Sequence, residues 1–154
     1  MDVARLRALE ATLGHRFADA RLIARALTHA SYAHEHPPES HQEPLAFVGD
    51  AALGLVVAER LLATSPEATV GVLTPERAAV VSGANLARWA LGLDLGPLLR
   101  LGRGEDLSGG RERESILATT LEAVLGAVYF ESGLEGVRRT VARLAGWDGE
   151  RVIG

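Results

Sequence analysis

The amino-acid sequence predicts an all-α domain in which two long buried helices are surrounded by shorter ones. Alanine and leucine are abundant while aromatic residues make up only 5% of the chain, a composition that favours helices. Two long apolar stretches, at residues 43–62 and about 112–132, contain no proline after Pro44, so no proline interrupts either predicted helix. A length of 154 residues suits a single domain with its own core, which we place at about residues 9–145.

The N-terminal third of the chain predicts short helices and one loop. Residues 2–13 are typical of an amphipathic helix that ends at Gly14, with Glu10 facing outward. Its inward residues are Leu6, Leu9 and Leu13. Asp19 is predicted to cap a second helix over about residues 20–32. The segment 34–41 contains three histidines and two prolines without helical spacing, which indicates a loop rather than a metal site.

The stretch at residues 43–62 predicts the central helix of the domain. Pro44 suits a first helical turn, because its missing N–H would have no partner there. Gly49 and Gly54 lie inside the helix although each costs about 1 kcal/mol relative to alanine, and they predict close approach of another backbone. Since the helix is apolar nearly all round, we expect it to be covered on all sides.

Acidic residues on this helix form the first candidate site. Asp50 lies in the middle of the apolar stretch, where an aspartate must be paired, hydrogen-bonded or bound to a cation. Glu43 lies seven residues earlier, two turns away on the same face. The residues alone leave open whether Asp50 has a structural partner or belongs to a functional site.

The second half of the chain predicts three further helical segments. Thr74 and Pro75 are typical of a helix start, and this helix should reach about Leu91, with Trp89 in the core and one or two turns at 94–99. The glycine-rich segment 102–111 is predicted to be a connector, because its spacing matches no phosphate-binding loop. A long helix at 112–132 and a last helix at 135–145 should follow, with Trp147 docking the C-terminus. Inward residues of the long helix are Ile116, Leu117, Leu121, Val124, Leu125, Val128 and Tyr129.

The stretch that begins at Glu43 closely resembles the signature helix of the ribonuclease III family, Glu-x-Leu-Glu-Phe-Leu-Gly-Asp-Ala-x-Leu-Gly. The matching residues are Glu43, Leu45, Phe47, Gly49, Asp50, Ala51, Leu53 and Gly54. Matches continue in family order from about residue 9 to about residue 135. They include residues 26–32 upstream, and 108–111, 114–118 and 122–129 downstream.

This resemblance implies an endonuclease domain for double-stranded RNA that uses Mg²⁺ or Mn²⁺ held by carboxylates. Carried over by position, Glu43, Asp50 and Glu122 retain family catalytic acids, and Asp50 and Glu122 are the expected metal ligands. Three further family acids are replaced, by Ala46, Val70 and Thr119. Because each replacement removes a negative charge from the expected cation site, we expect cleavage to be impaired or lost.

The resemblance also implies partners. The phenylalanine that matches Phe47 packs against a second subunit in the family, which predicts a homodimer or a heterodimer with another family chain. Arg103, Arg111 and Arg113 are candidate RNA contacts. The net charge of −4 argues against a strong free-standing nucleic-acid binder, and we expect no separate double-stranded-RNA-binding domain after the nuclease domain.

Three functions remain open from the sequence. The chain is either an RNA-processing domain with impaired chemistry, an active minimal endonuclease with an altered metal site, or a non-catalytic, ribosome-associated or heterodimerising scaffold. The absence of cysteine, of a signal peptide and of an apolar run of membrane-spanning length predicts a cytoplasmic protein without a membrane partner.

Overall fold

The computed structural model describes residues 1–147, and this part of the chain folds into eight α-helices without a β-sheet. The helices are α1 (Val3–Leu13), α2 (Ala20–Ala26), α3 (Ala30–Glu35), α4 (Glu43–Thr64), α5 (Val70–Val81), α6 (Gly83–Gly92), α7 (Arg103–Leu107) and α8 (Glu114–Ala145). Short 3₁₀ turns lie at Gly96–Leu98 and Gly110–Glu112. The predicted fold class is confirmed, and no helix among these residues is apolar over the length needed to cross a membrane.

The two long helices, α4 and α8, cross in direct backbone contact at two glycines. A Cβ added at Gly49 would lie 1.7 Å from the carbonyl oxygen of Glu122, and one added at Gly126 would lie 2.1 Å from the carbonyl oxygen of Leu45. Only glycine permits this approach. The prediction of close backbone contact is therefore confirmed for Gly49 but wrong for Gly54, where an added Cβ would meet nothing within 4 Å.

Helix α4 is not covered on all sides, contrary to the expectation from its composition. One face packs against α8 and the core through Leu45, Leu53 and Val57, each less than 5% exposed. The opposite face leaves Phe47 81% exposed, and α5 contains no buried residue although it is rich in valine. Helix α5 packs against the C-terminal part of α4, but within the described residues nothing covers Phe47.

Several helix boundaries differ from those predicted, because side-chain caps override composition. The predicted helix over 20–32 is divided: α2 ends at Ala26, and His29 caps α3 by accepting a hydrogen bond from the Ser31 backbone N–H at 3.1 Å. Between them the chain pairs with residue 100, since the His29 N–H donates to the Arg100 carbonyl oxygen at 3.0 Å. Helix α3 extends through Glu35, so the loop begins at residue 36, two residues later than predicted.

The prediction of one helix from Thr74 to about Leu91 is also wrong, because a side-chain cap divides this segment into α5 and α6. Helix α5 begins earlier, at Val70, and has Pro75 in its interior. It ends at Ser82, whose backbone is extended and whose hydroxyl caps α6 by accepting from the Asn85 N–H at 3.2 Å. The segment 102–111 is likewise not a plain connector, since it forms α7 and a 3₁₀ turn. Trp89 is buried as predicted.

Helix α8 is broken at Gly133, where φ is +64° and the backbone is not helical. This agrees with the predicted division into two helices near residue 133. The part of α8 that follows Gly133 is hydrogen-bonded to the end of α1. The Arg143 guanidinium donates to the carbonyl oxygens of Ala11 at 3.0 Å and Thr12 at 2.9 Å. The Thr140 hydroxyl donates to the carbonyl oxygen of Leu13 at 3.2 Å. These bonds satisfy carbonyl groups at the end of α1 that have no partner within the helix.

Two side chains face opposite to the prediction. Glu10 is 9% exposed rather than outward, because its carboxylate accepts the Phe17 N–H at 2.7 Å. Tyr129 lies at the surface beside Phe130, 5.6 Å from it in an edge-to-face arrangement, rather than in the core. Trp147 packs partly buried against the core as predicted, with Arg60 5.3 Å above its ring.

Candidate active site

The glycine crossing brings Asp50 of α4 and Glu122 of α8 together. Gly49 contacts the backbone of Glu122 directly, so the side chain of the next residue, Asp50, lies beside that of Glu122. Burial of Glu122, together with a hydrogen bond to Asp50 and the charge of Asp50, raises the pKa of Glu122 to about 8. Near neutral pH Glu122 therefore keeps its proton. Asp50, which we expected to be buried, is exposed.

Glu43 does not join this pair. Its side chain is 67% exposed, and its carboxylate lies 3.6 Å from Nδ1 of His41. Among residues 1–147, no three histidine, aspartate or glutamate side chains converge in a way that could hold a metal ion. The predicted set of three acids is thus reduced to two that are in contact.

The three positions where family acids are replaced differ in their surroundings. Ala46 is 7% exposed and lies one turn before Asp50, and Thr119 is partly buried one turn before Glu122. Both flank the acid pair without adding a charge. Val70 is 77% exposed at the start of α5, where it lines a cavity of about 190 Å³ with Leu62. Leu62 lies about 18 Å along α4 from Asp50, so Val70, which lies beside Leu62, is far from the acid pair.

A buried amide that the sequence analysis missed fixes the start of α4. Gln42 is fully buried, and its Nε2 donates to the Ala26 carbonyl oxygen at 2.8 Å and to the Thr120 hydroxyl at 3.1 Å. These bonds tie the N-terminus of α4 to α8 two residues before Glu122. A glutamine directly before a helix gives no local sign of burial, since its partners lie 16 and 78 residues away.

The three candidate RNA-contacting arginines have different environments. Arg111 pairs with Asp106 at 2.8 Å and donates to two backbone carbonyl oxygens, and Arg113 pairs with Glu105. These two side chains hold the 102–113 segment in shape, and the contact with Arg113 lowers the pKa of Glu105. The guanidinium group of Arg103 makes no such contact in the described part of the chain.

Apolar side chains form an exposed surface on the open face of α4 and on α5. Its members, here called the apolar surface, are Phe47, Leu55, Leu62, Val70 and Val72, each between 47% and 81% exposed. Exposed apolar patches are typical of interaction sites. The possibility that Phe47 is an ordinary core residue is excluded by its exposure.

The fold described above is shared by solved structures. Two solved structures of the nuclease domain of ribonuclease III from Campylobacter jejuni are each 35% identical to the chain, with TM-scores of 0.84 and 0.86. They align over 94% and 95% of this chain and 96% and 99% of theirs. The second structure shows structural flexibility in a region that is involved in dimer formation of that nuclease domain. The fold is therefore that of a ribonuclease III nuclease domain.

Sequence comparison agrees with the fold. Ribonuclease 3 of Heliobacterium modesticaldum is 50% identical over 130 residues, and that of Streptomyces coelicolor is 50% identical over 136 residues. These alignments cover 83% and 88% of this chain but 55% and 49% of the relatives, so the chain spans about half their length. The Ribonuclease-III-like family model matches residues 19–145, and the chain belongs to this family.

Proposed function

We propose that this domain acts on structured, double-stranded RNA in RNA processing, and that its ability to cleave RNA is impaired or lost. One observation supports the second part: Asp50 and Glu122 are in contact, yet among residues 1–147 no third acid joins them, and Ala46 and Thr119 flank the pair. The family relation supports the first part.

The donor set fits one divalent cation and not two. Mg²⁺ is held by one or two carboxylates when substrate phosphates complete its oxygen shell. Asp50 and Glu122 would hold that cation, which supplies charge stabilisation for the scissile phosphate when bound. The contact between the two carboxyl groups supports this fit, because a bound cation would offset the burial and the repulsion by Asp50 that raise the pKa of Glu122. The described residues contain no ligand set for a second ion.

The missing acids are enough to account for a large loss of rate. Removing one well-placed electrostatic group costs about 2.7–4 kcal/mol in the transition state. Losses of groups that act together do not add, so the deficit is smaller than the sum of its parts. Even one such loss lowers the rate of the cleavage step by a factor of roughly 10²–10³.

Dimerisation is the third part of the proposal. The apolar surface exposes five large side chains on adjoining helices, which a second copy of the chain would cover. The same surface fits a heterodimer with another ribonuclease III-family chain. Sedimentation of the purified protein alone separates these cases, because only a homodimer forms without a partner.

The decisive experiment restores the missing acids. Wild-type protein should show little or no cleavage of duplex RNA in Mg²⁺ or Mn²⁺, whereas the double variant Ala46→Glu/Thr119→Asp should gain activity. Adding Asp50→Asn to the double variant should abolish the gain, and thermal melts confirm that each variant folds. Efficient cleavage by the wild type that is lost in Asp50→Asn would overturn the proposed impairment and support the active minimal endonuclease.

A further inference from the structure

An open groove beside α2 concentrates positive charge on an otherwise acidic chain. It has a volume of about 710 Å³, and its charged lining residues are Arg21, Arg25, Arg100 and Glu39. The groove therefore carries a formal charge of +2, three arginines against one glutamate, while the whole chain carries −4. We call it the arginine groove.

Two of the three guanidinium groups are held in place by the fold. Nε of Arg25 donates to the His41 carbonyl oxygen at 2.9 Å, which leaves its two terminal nitrogens available. Arg100 lies 4.4 Å above the ring of Tyr32 and pairs with Glu39 at 3.3 Å. The side chain of Arg21 makes no hydrogen bond or ion pair with any described residue, and it is exposed.

Guanidinium groups in this arrangement are suited to phosphate oxygens. Arginine presents paired N–H donors that match the geometry of a phosphate, and fixing the side chain beforehand lowers the entropy cost of binding. The groove has room for roughly twenty water molecules, far more than one phosphate ion needs. It lies on the segment that leads into α4, since Ser40 in its wall precedes the first residue of that helix by three positions.

We propose that the arginine groove binds consecutive phosphate groups of an RNA backbone, and that the Glu39 carboxylate is an internal competitor for Arg100. This inference rests on the proposed action on RNA and adds the surface that holds the RNA. Glu39 occupies a guanidinium group that a phosphate would otherwise bind. Neutralising Glu39 should therefore strengthen RNA binding, an effect that damage to the fold would not produce.

The test measures binding of a fluorescently labelled RNA duplex of 20 base pairs by anisotropy, without divalent ions, across a range of salt concentrations. Arg21→Glu should weaken binding about tenfold and lower the slope of log affinity against log salt by about 1. Glu39→Gln should tighten binding at least about threefold. The matched control is Arg139→Glu, the same charge change at an exposed residue of α8, which should change affinity less than twofold.

Each other outcome is decisive. Equal effects of Arg21→Glu and Arg139→Glu, or weaker binding by Glu39→Gln, would overturn the groove assignment. Inorganic phosphate that binds below 1 mM and is lost in Arg21→Glu, while RNA affinity is unchanged, would assign the groove to a small phosphate compound instead. If no form of the protein binds the duplex, both this inference and the proposed action on RNA fail. Cleavage by the wild type with the predicted binding differences intact would overturn only the impaired chemistry.

Discussion

Replacing Gly49 with alanine should separate the two central helices and destabilise the domain. The added Cβ would meet the Glu122 carbonyl oxygen at 1.7 Å, so the helices must part by more than about 1 Å before the contact is tolerable. Both atoms belong to backbone or are attached directly to it, so no side-chain rotation relieves the clash. Gly54→Ala on the same helix is the matched control, because nothing lies within 4 Å of its added Cβ.

The two variants should shift stability in opposite directions. Overpacking in a core costs about 1–3 kcal/mol, and a backbone clash this close belongs at or above the upper limit. Gly54→Ala should instead gain about 0.5–1 kcal/mol from helix propensity. At about 2–4 °C per kcal/mol, Gly49→Ala should melt roughly 10 °C below wild type and Gly54→Ala a few degrees above it. Thermal melts followed by circular dichroism measure both, and a Gly49→Ala protein as stable as wild type would refute the close crossing.

Three further predictions concern the acid pair, the apolar surface and the end of α8. The pKa of Glu122 is about 8 in the folded protein and 4.5 in the unfolded chain, so the folded state loses stability as pH rises from 4.5 to 8. After allowance for solvent screening, we expect the unfolding free energy to fall by about 1–2 kcal/mol over this range. Urea titrations at pH 5 and pH 8 should show that Glu122→Gln removes this dependence, and an unchanged pH slope would contradict it. Phe47→Ala should shift sedimentation towards monomer while Leu107→Ala, a residue equally exposed on α7, should not; equal behaviour argues against the proposed dimer. Arg143→Gln should lower the unfolding free energy by about 1–2 kcal/mol, because two carbonyl groups of α1 lose a charged donor, and no change in urea midpoint would count against that role.

The sequence predicted the all-α class because this prediction depends on patterns within single helices, whereas the pairing of Asp50 with Glu122 was expected from the resemblance to the ribonuclease III family. A glycine inside an apolar helix indicates close contact, and the helical period places the acids on defined faces. The sequence did not indicate which residue of α8 contacts Gly49. Gly126 lies in a family match but carries no local sign that it faces residue 49 across the crossing.

Other features depend on long-range contacts and could not be predicted from local pattern. The helix division at Thr28 follows from pairing with Arg100, 72 residues later in the chain, and the burial of Glu10 follows from a loop that turns back onto it. The arginine groove combines α2, the loop before α4 and the segment before α7. The exposed face of α4 was predicted to be buried because its composition is apolar. Composition does not show whether the same chain or a second molecule covers such a face.

The bonds from Arg143 and Thr140 to the end of α1 have a consequence for biosynthesis. The residues that they join are at least 127 positions apart, so α1 reaches its final contacts only after the chain has been synthesised past residue 143. Until then α1 keeps open carbonyl groups and an apolar stripe with no partner. A nascent chain halted before residue 140 should therefore leave its N-terminal helix open to proteases and chaperones.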